Sequence, residues 1–196
     1  MKKEYREAIE GSPVIAAVKN FESLEKSLTC GSRIIFILFG DICNISDIVA
    51  RIKAAGKLAI VHIDLITGLA PKEIAVDFIH QCTDADGIIS AKPALVKYAT
   101  KLSLFTVLRF FVIDSLALSN IEKQLQYVKP DVVEVLPLLM PRILTRICSI
   151  SHVPVISGGL ISEEDDVEAM RSAGASCVST TSENIWPIQE KNLTYD

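Results

Sequence analysis

Two polar stretches late in the chain have the residue types that hold an oxyanion. Gly158 and Gly159 precede Leu160 and Ile161, and a hydroxyl run follows at Ser179, Thr180, Thr181 and Ser182. Glycine lets a ligand approach the backbone closely, and amide groups with hydroxyls near a helix start favour an anion. Gly158, Gly159, Leu160, Thr180, Thr181 and Ser182 are therefore the expected phosphate cradle, against the plainer alternative of a structural glycine turn and a serine cap. Asp64, Lys92, Arg109 and Glu134 are candidates for the polar remainder of a ligand. His62 and Asp64, two residues apart, share a strand face and suggest an acid/base pair. A histidine in a packed interior is more often a hydrogen-bonded core residue, so Asp64 is the better candidate. Arg109 and Glu134 suit a pair across neighbouring strands, which either orients side chains or meets a hydroxylated or anionic ligand. Lys92 reads as a phosphate partner, as a Schiff-base nucleophile if desolvated, or as a surface lysine opening a helix at Pro93. HxxxH and CxxC spacings are missing and no nucleophile–base pair is persuasive, so neither a metal, a cofactor nor a catalytic residue is expected.

These residues need a scaffold that brings them to one rim. Short β-rich apolar runs recur at Val14 to Val18, Arg33 to Phe39, Lys57 to Ile63, Gly87 to Ser90, Leu104 to Phe111, Asp131 to Leu136, Pro154 to Ser157 and Ser176 to Ser179. Between them lie segments with helical apolar spacing, such as Ile45, Ile48, Val49 and Ile52. Near-continuous apolar strands alternating with helices suit a parallel sheet buried on both faces, and eight such units suit closure. The expected fold is α/β, a small (β/α)8 barrel forming a single domain over residues 1–196. A doubly wound open sheet is the alternative, but it normally opens with a glycine-rich turn where this chain has Val18-Lys19-Asn20-Phe21. The chain is shorter than the roughly 250 residues usual for such barrels, so loops must be short and one helix vestigial. Ligands of these barrels bind at the C-terminal ends of the strands, where all the candidates above fall. Ser162 before Glu163, Glu164, Asp165 and Asp166 reads as a helix N-cap with acids in the first turn, not as a metal cluster.

Composition narrows the class further. A hydrophobic fraction of 49% with 22% charged residues excludes an extended disordered protein. No apolar run reaches the roughly 20 residues that span a bilayer, and Met1 to Glu7 is charged with no apolar stretch after it, so a soluble cytoplasmic protein without membrane contact is expected. The five cysteines are scattered and read as reduced core thiols. A net charge of −4 argues against broad nucleic-acid affinity while leaving a local RNA site open. Homo-oligomerisation is equally open.

Taken together, the chain resembles the glycerol-3-phosphate-responsive antiterminators, the regulatory proteins of glycerol uptake operons. The resemblance is carried by Ser12 to Val18, His62 to Leu69, Ile88 to Lys92, Arg109 to Phe111 with Asp114 and Ser115, Glu134 to Pro137 with Met140 and Pro141, Gly158 to Ile161, and Ser179 to Thr181 with Trp186. One departure is Leu138-Leu139, where the family motif has glycine after Leu-Pro. The resemblance implies that glycerol-3-phosphate is the effector. With the phosphate in the cradle, the glycerol end is expected toward Asp64, Lys92, Arg109 and Glu134, because charged strand ends can hydrogen-bond hydroxyls. It further implies that the liganded protein acts on leader mRNA to prevent transcription termination. An enzyme acting on a phosphorylated three-carbon metabolite, and a metabolite-binding protein acting through another protein, are the competing classes, since fold does not choose among them.

Overall fold

A computed structural model describes residues 1–137 and 140–188. Eight parallel strands close in sequence order, β1 (Val14–Val18), β2 (Ile34–Ile37), β3 (Leu58–His62), β4 (Gly87–Ser90), β5 (Phe105–Phe111), β6 (Val132–Leu136), β7 (Val155–Gly158) and β8 (Cys177–Thr180), with β8 pairing back onto β1. The expected (β/α)8 barrel is the fold found. Almost every strand residue is buried, as a parallel sheet covered on both faces requires. Outward side chains such as Val61, Ile88 and Val133 pack under the helices, while inward ones such as Phe36, Ile60, Val107 and Ile156 fill the barrel.

The helices between strands are α2 (Phe21–Thr29), α3 (Ile45–Ala54), α4 (Glu73–Cys82), α5 (Pro93–Lys101), α6 (Ser115–Tyr127), α7 (Pro141–Ile150) and α8 (Glu164–Ser172). A further helix, α1 (Lys3–Glu10), precedes the first strand and was not legible as an element, because its short charged sequence carries few apolar residues. Its Tyr5, Ala8 and Ile9 join the interior cluster. The Tyr5 ring lies 4.8 Å from that of Phe105, and its hydroxyl donates to the Asp86 carbonyl, so α1 plugs the N-terminal end of the barrel. The opposite end is left to the loops.

After β8 the expected vestigial helix is a single 3-10 turn at Glu183–Ile185 within the described residues. Trp186 is buried beside it and donates from Nε1 to the Thr180 carbonyl at 2.9 Å, tying that turn to the end of β8. Two sequence expectations need correction. Helix α8 is capped at Glu163, one residue later than Ser162, because the Asp166 carboxylate accepts from the amides of both residues at 3.0 and 3.1 Å. The cysteines are not all core thiols: Cys177 is buried and Cys30 and Cys148 are half-buried, but Cys43 and Cys82 are exposed, one in a turn and one at the end of α4.

Candidate functional site

Strand register sets the centre of the site. Arg109 on β5 lies opposite Glu134 on β6, and both point into the barrel near its C-terminal end. Arg109 Nε donates to Glu134 Oε2 at 2.6 Å, and Ser179 Oγ donates to Oε1 at 2.6 Å. Both oxygens of a fully buried carboxylate are thus engaged, and the guanidinium is aimed by a partner that cannot turn. Gly158 is what lets the three groups meet, since a Cβ there would stand 2.5 Å from Ser179 Oγ and 3.2 Å from Glu134 Oε1.

Above this layer is a cavity of about 380 Å³. Arg109, Ala17, Leu38 and Leu136 line it from the strands, residues 159–162 from the loop after β7, and residues 179–182 from β8 and the loop that follows. Gly159 and Leu160 both have positive φ, +80° and +58°. For a leucine that conformation is uncommon and costs about 1 kcal/mol, which marks the loop as held by its surroundings. The Leu160 amide donates to no described residue. The N-terminus of α8, by contrast, is already served by Asp166. Thr180 Oγ1 donates to the Ile161 carbonyl at 2.6 Å and accepts from the Ser182 amide at 3.0 Å, so this hydroxyl binds the two loops together.

The cavity therefore gathers Gly159, Leu160, Thr180, Thr181, Ser182 and Arg109 from the sequence-derived set, with Gly158 and Glu134 directly beneath. It does not include Asp64 or Lys92. Asp64 Oδ2 accepts from Ser90 Oγ and the Ala91 amide, both at 2.8 Å, and Oδ1 accepts from Lys92 Nζ at 2.6 Å. Burial alone would raise its pKa. The Lys92 ammonium, the Ala91 amide and the Ser90 hydroxyl together outweigh that and hold the carboxyl below the ordinary range. This pair flanks a separate depression of about 230 Å³ with Leu69, Pro71 and Leu95. The sequence reading missed Ser179 as the second donor to Glu134, and Leu38, Leu136, Ile161 and Ser162 as lining; strand-end position was the available signal for the first three. Residues 138–139, where the sequence departs from the family motif, lie outside the described residues.

Neighbouring loops are tied off more firmly. Asp41 bridges to Thr67, the Ile42 amide donates to the Thr67 carbonyl at 3.1 Å, and the Thr67 amide donates to the Gly40 carbonyl at 3.0 Å. The Asp41 carboxylate also accepts from the Cys43 and Asn44 amides and from Asn44 Nδ2. Lys57, the buried lysine, lies at the far end of the barrel, where Nζ donates to the carbonyls of Cys30 and Ser32.

His62 ends β3 and is 4% exposed, as a core histidine would be. Burial, reinforced by the positive charge of Arg109 and to a lesser degree Lys92, pushes its pKa down from 6.5 to about 4 against the pull of Asp64. The unfolded chain then takes up this proton at a higher pH than the folded one. Stability is full above about pH 6.5, falls as pH drops toward 4, and levels off below that, a loss of about 3 kcal/mol from this group. In urea denaturation at pH 7 and pH 4.5, His62→Leu should show a smaller acid-induced drop than wild type; equal drops would mean the ring is not the depressed group.

The arrangement defines a (β/α)8 barrel with a polar, arginine-floored cavity at the C-terminal ends of its strands. Residues 14–186 match the family described as glycerol-3-phosphate responsive antiterminator, and the chain belongs to that family. It is 40% identical over 182 residues to the uncharacterized protein YgcP of Escherichia coli K12, covering 93% of this chain and 95% of that one. The crystal structure of a glycerol uptake operon antiterminator regulatory protein from Listeria monocytogenes is similar with a TM-score of 0.85 and 31% identity, covering 88% of this chain and 94% of the other. A glycerol uptake operon antiterminator-related protein from Thermotoga maritima is similar with a TM-score of 0.80 and 32% identity, covering 91% and 99%. Among the described residues no helix is long and apolar enough to cross a membrane, and no group of three His, Cys, Asp or Glu residues could hold a metal ion.

Proposed function

We infer that the chain is a cytoplasmic regulator of glycerol uptake that binds glycerol-3-phosphate in the 380 Å³ cavity and, when liganded, acts on leader mRNA to prevent transcription termination. The observation that carries this reading is the meeting, at one strand-end rim, of the glycine loop after β7, the hydroxyl loop after β8 and a fixed guanidinium. The phosphate sits against Gly159, Leu160, Thr181 and Ser182, over Gly158 and Thr180, where N–H and O–H groups serve a dianion. The glycerol end points down toward Arg109, held by Glu134. Membership in the antiterminator family and likeness to the Listeria and Thermotoga proteins support the regulatory role.

The test is binding of leader RNA with and without glycerol-3-phosphate, across a salt series. The ligand should strengthen binding, and salt should weaken it, because contacts to RNA phosphates release counterions. Equal binding of leader and scrambled RNA, indifferent to the ligand, would sink the regulatory reading. Sustained conversion of glycerol-3-phosphate, followed by NMR and proportional to protein, would favour an enzyme instead.

Asp64 and Lys92 take the part of a loop pin beside the cavity in this arrangement. Lys92→Ala should leave glycerol-3-phosphate affinity within about twofold, since a half-exposed ammonium paired elsewhere adds little. A larger loss in calorimetry would bring the pair into the ligand site.

A further inference from the structure

A groove of about 450 Å³ opens between α6 and α7 at their N-terminal ends. Its surface is aliphatic, from Val112, Ile113 and Leu118 on the α6 side and from Pro137, Met140 and Ile143 on the α7 side. Ile113 is 79% exposed and Met140 57%, and Leu116 in the first turn of α6 and Phe111 at the end of β5 are exposed as well. Single apolar side chains scattered over a surface need no explanation. Here four large ones fall in the two segments that border one groove, and a gathered patch of that kind marks a contact surface.

Charge is divided across the groove. Asp114 stands on the α6 wall, where its carboxylate caps the helix by accepting from the Ala117 amide at 2.7 Å. Arg146 stands on the α7 wall, with Arg142 one turn before it and no acid anywhere on that helix. Neither Asp114 nor Arg146 has an ion-pair partner among the described residues. Single-stranded RNA is a poor occupant, because its bases stack on aromatic faces that the lining lacks and the Asp114 carboxylate opposes its phosphates. A second copy of the chain is a good one. With a two-fold axis running along the groove, the α6 wall of one copy meets the α7 wall of the other, so each Asp114 faces an Arg146 and apolar surface meets apolar surface. An axis across the groove would set Asp114 against Asp114 instead.

We propose that the chain forms a two-fold symmetric dimer through this groove, with Asp114 and Arg146 paired reciprocally across it. Apolar contact at the centre supplies the affinity, and the two ion pairs fix the register and exclude the wrong orientation. The proposal stands apart from the reading of the ligand cavity, with which the groove shares no lining residue.

The experiment is analytical ultracentrifugation of wild type, Asp114→Arg and Arg146→Asp across a concentration series, with each variant alone and with the two mixed in equal amounts. Wild type should be dimeric at micromolar concentration. Each variant alone brings like charges together twice per dimer, so its dissociation constant should rise by about 100-fold or more. The mixture should recover a heterodimer, because one chain then presents arginine on both walls and the other aspartate on both. Monomeric wild type, dimers that persist in both variants, or a mixture that stays monomeric each overturn the proposal. If wild type is monomeric and Arg146→Asp loses leader RNA, the groove belongs to RNA instead. Asp114→Arg also removes a helix cap, so circular dichroism checks its fold. Should it not fold, Ile113→Glu decides, since a side chain 79% exposed can change without disturbing the core. Its charge in the apolar contact should separate the copies, and an unchanged dimer refutes the proposal.

Discussion

Glu134→Leu is expected to destabilise the barrel by about 3–5 kcal/mol, because it leaves the Arg109 guanidinium buried without its counter-charge and Ser179 without its acceptor. The double variant Arg109→Met with Glu134→Leu should recover most of that, since replacing both partners of a buried pair by apolar groups is often neutral. Urea denaturation of the two single variants and the double variant measures the coupling. A loss below about 1 kcal/mol in Glu134→Leu would mean that the guanidinium escapes to solvent and that the pair does not fix the cavity floor. The double variant separates two roles, for it should be stable and yet fail to bind, if Arg109 is the group that meets the ligand.

Gly159→Asp is expected to lower glycerol-3-phosphate affinity by about 100-fold or more. Its carboxylate would enter the cradle beside the phosphate, and like charges about 4 Å apart near a protein surface repel by about 4 kcal/mol. Part of any loss comes from the backbone. Gly159 has a φ of +80°, and a Cβ there would stand 3.3 Å from Pro137 Cα. Gly159→Ala carries the same backbone strain without the charge, so the gap between the two variants in calorimetry is the electrostatic part. Circular dichroism guards against misfolding. Undiminished affinity in folded Gly159→Asp would place the phosphate elsewhere on the rim.

Much of the barrel could be read from the order of residues, and the reasons are local. Each strand is a short, nearly unbroken apolar run because both of its faces are covered, and each begins and ends near a turn residue. Helix α1 escaped that reading because its contribution is tertiary: Tyr5, Ala8 and Ile9 matter only because the barrel end needs filling. The site was legible to the level of which strand ends carry polar groups. That Arg109 faces Glu134 followed from strand adjacency, but Ser179 as the third member, and Gly158 as the clearance for it, depend on register across three strands. Asp64 and Lys92 sit at strand ends as well. What the order of residues could not show is that Ser90 and Ala91 turn that pair inward on itself, away from the cavity.

The hydrogen bonds joining Gly40, Asp41 and Ile42 to Thr67 make the two sides of the mouth mechanically unequal. One side is a fixed jaw. Its loops cannot part without breaking a short ladder, and the Asp41–Asn44 clasp stiffens one of them, so the amides of Ile42 and Thr67 should exchange with solvent slowly. The loops after β7 and β8 are joined by side chains, Thr180 Oγ1 donating to the Ile161 carbonyl and Asn184 Nδ2 to the Ser162 carbonyl. Filling of the cavity is therefore expected to displace the loops after β7 and β8 more than the laddered side, which serves as the fixed support.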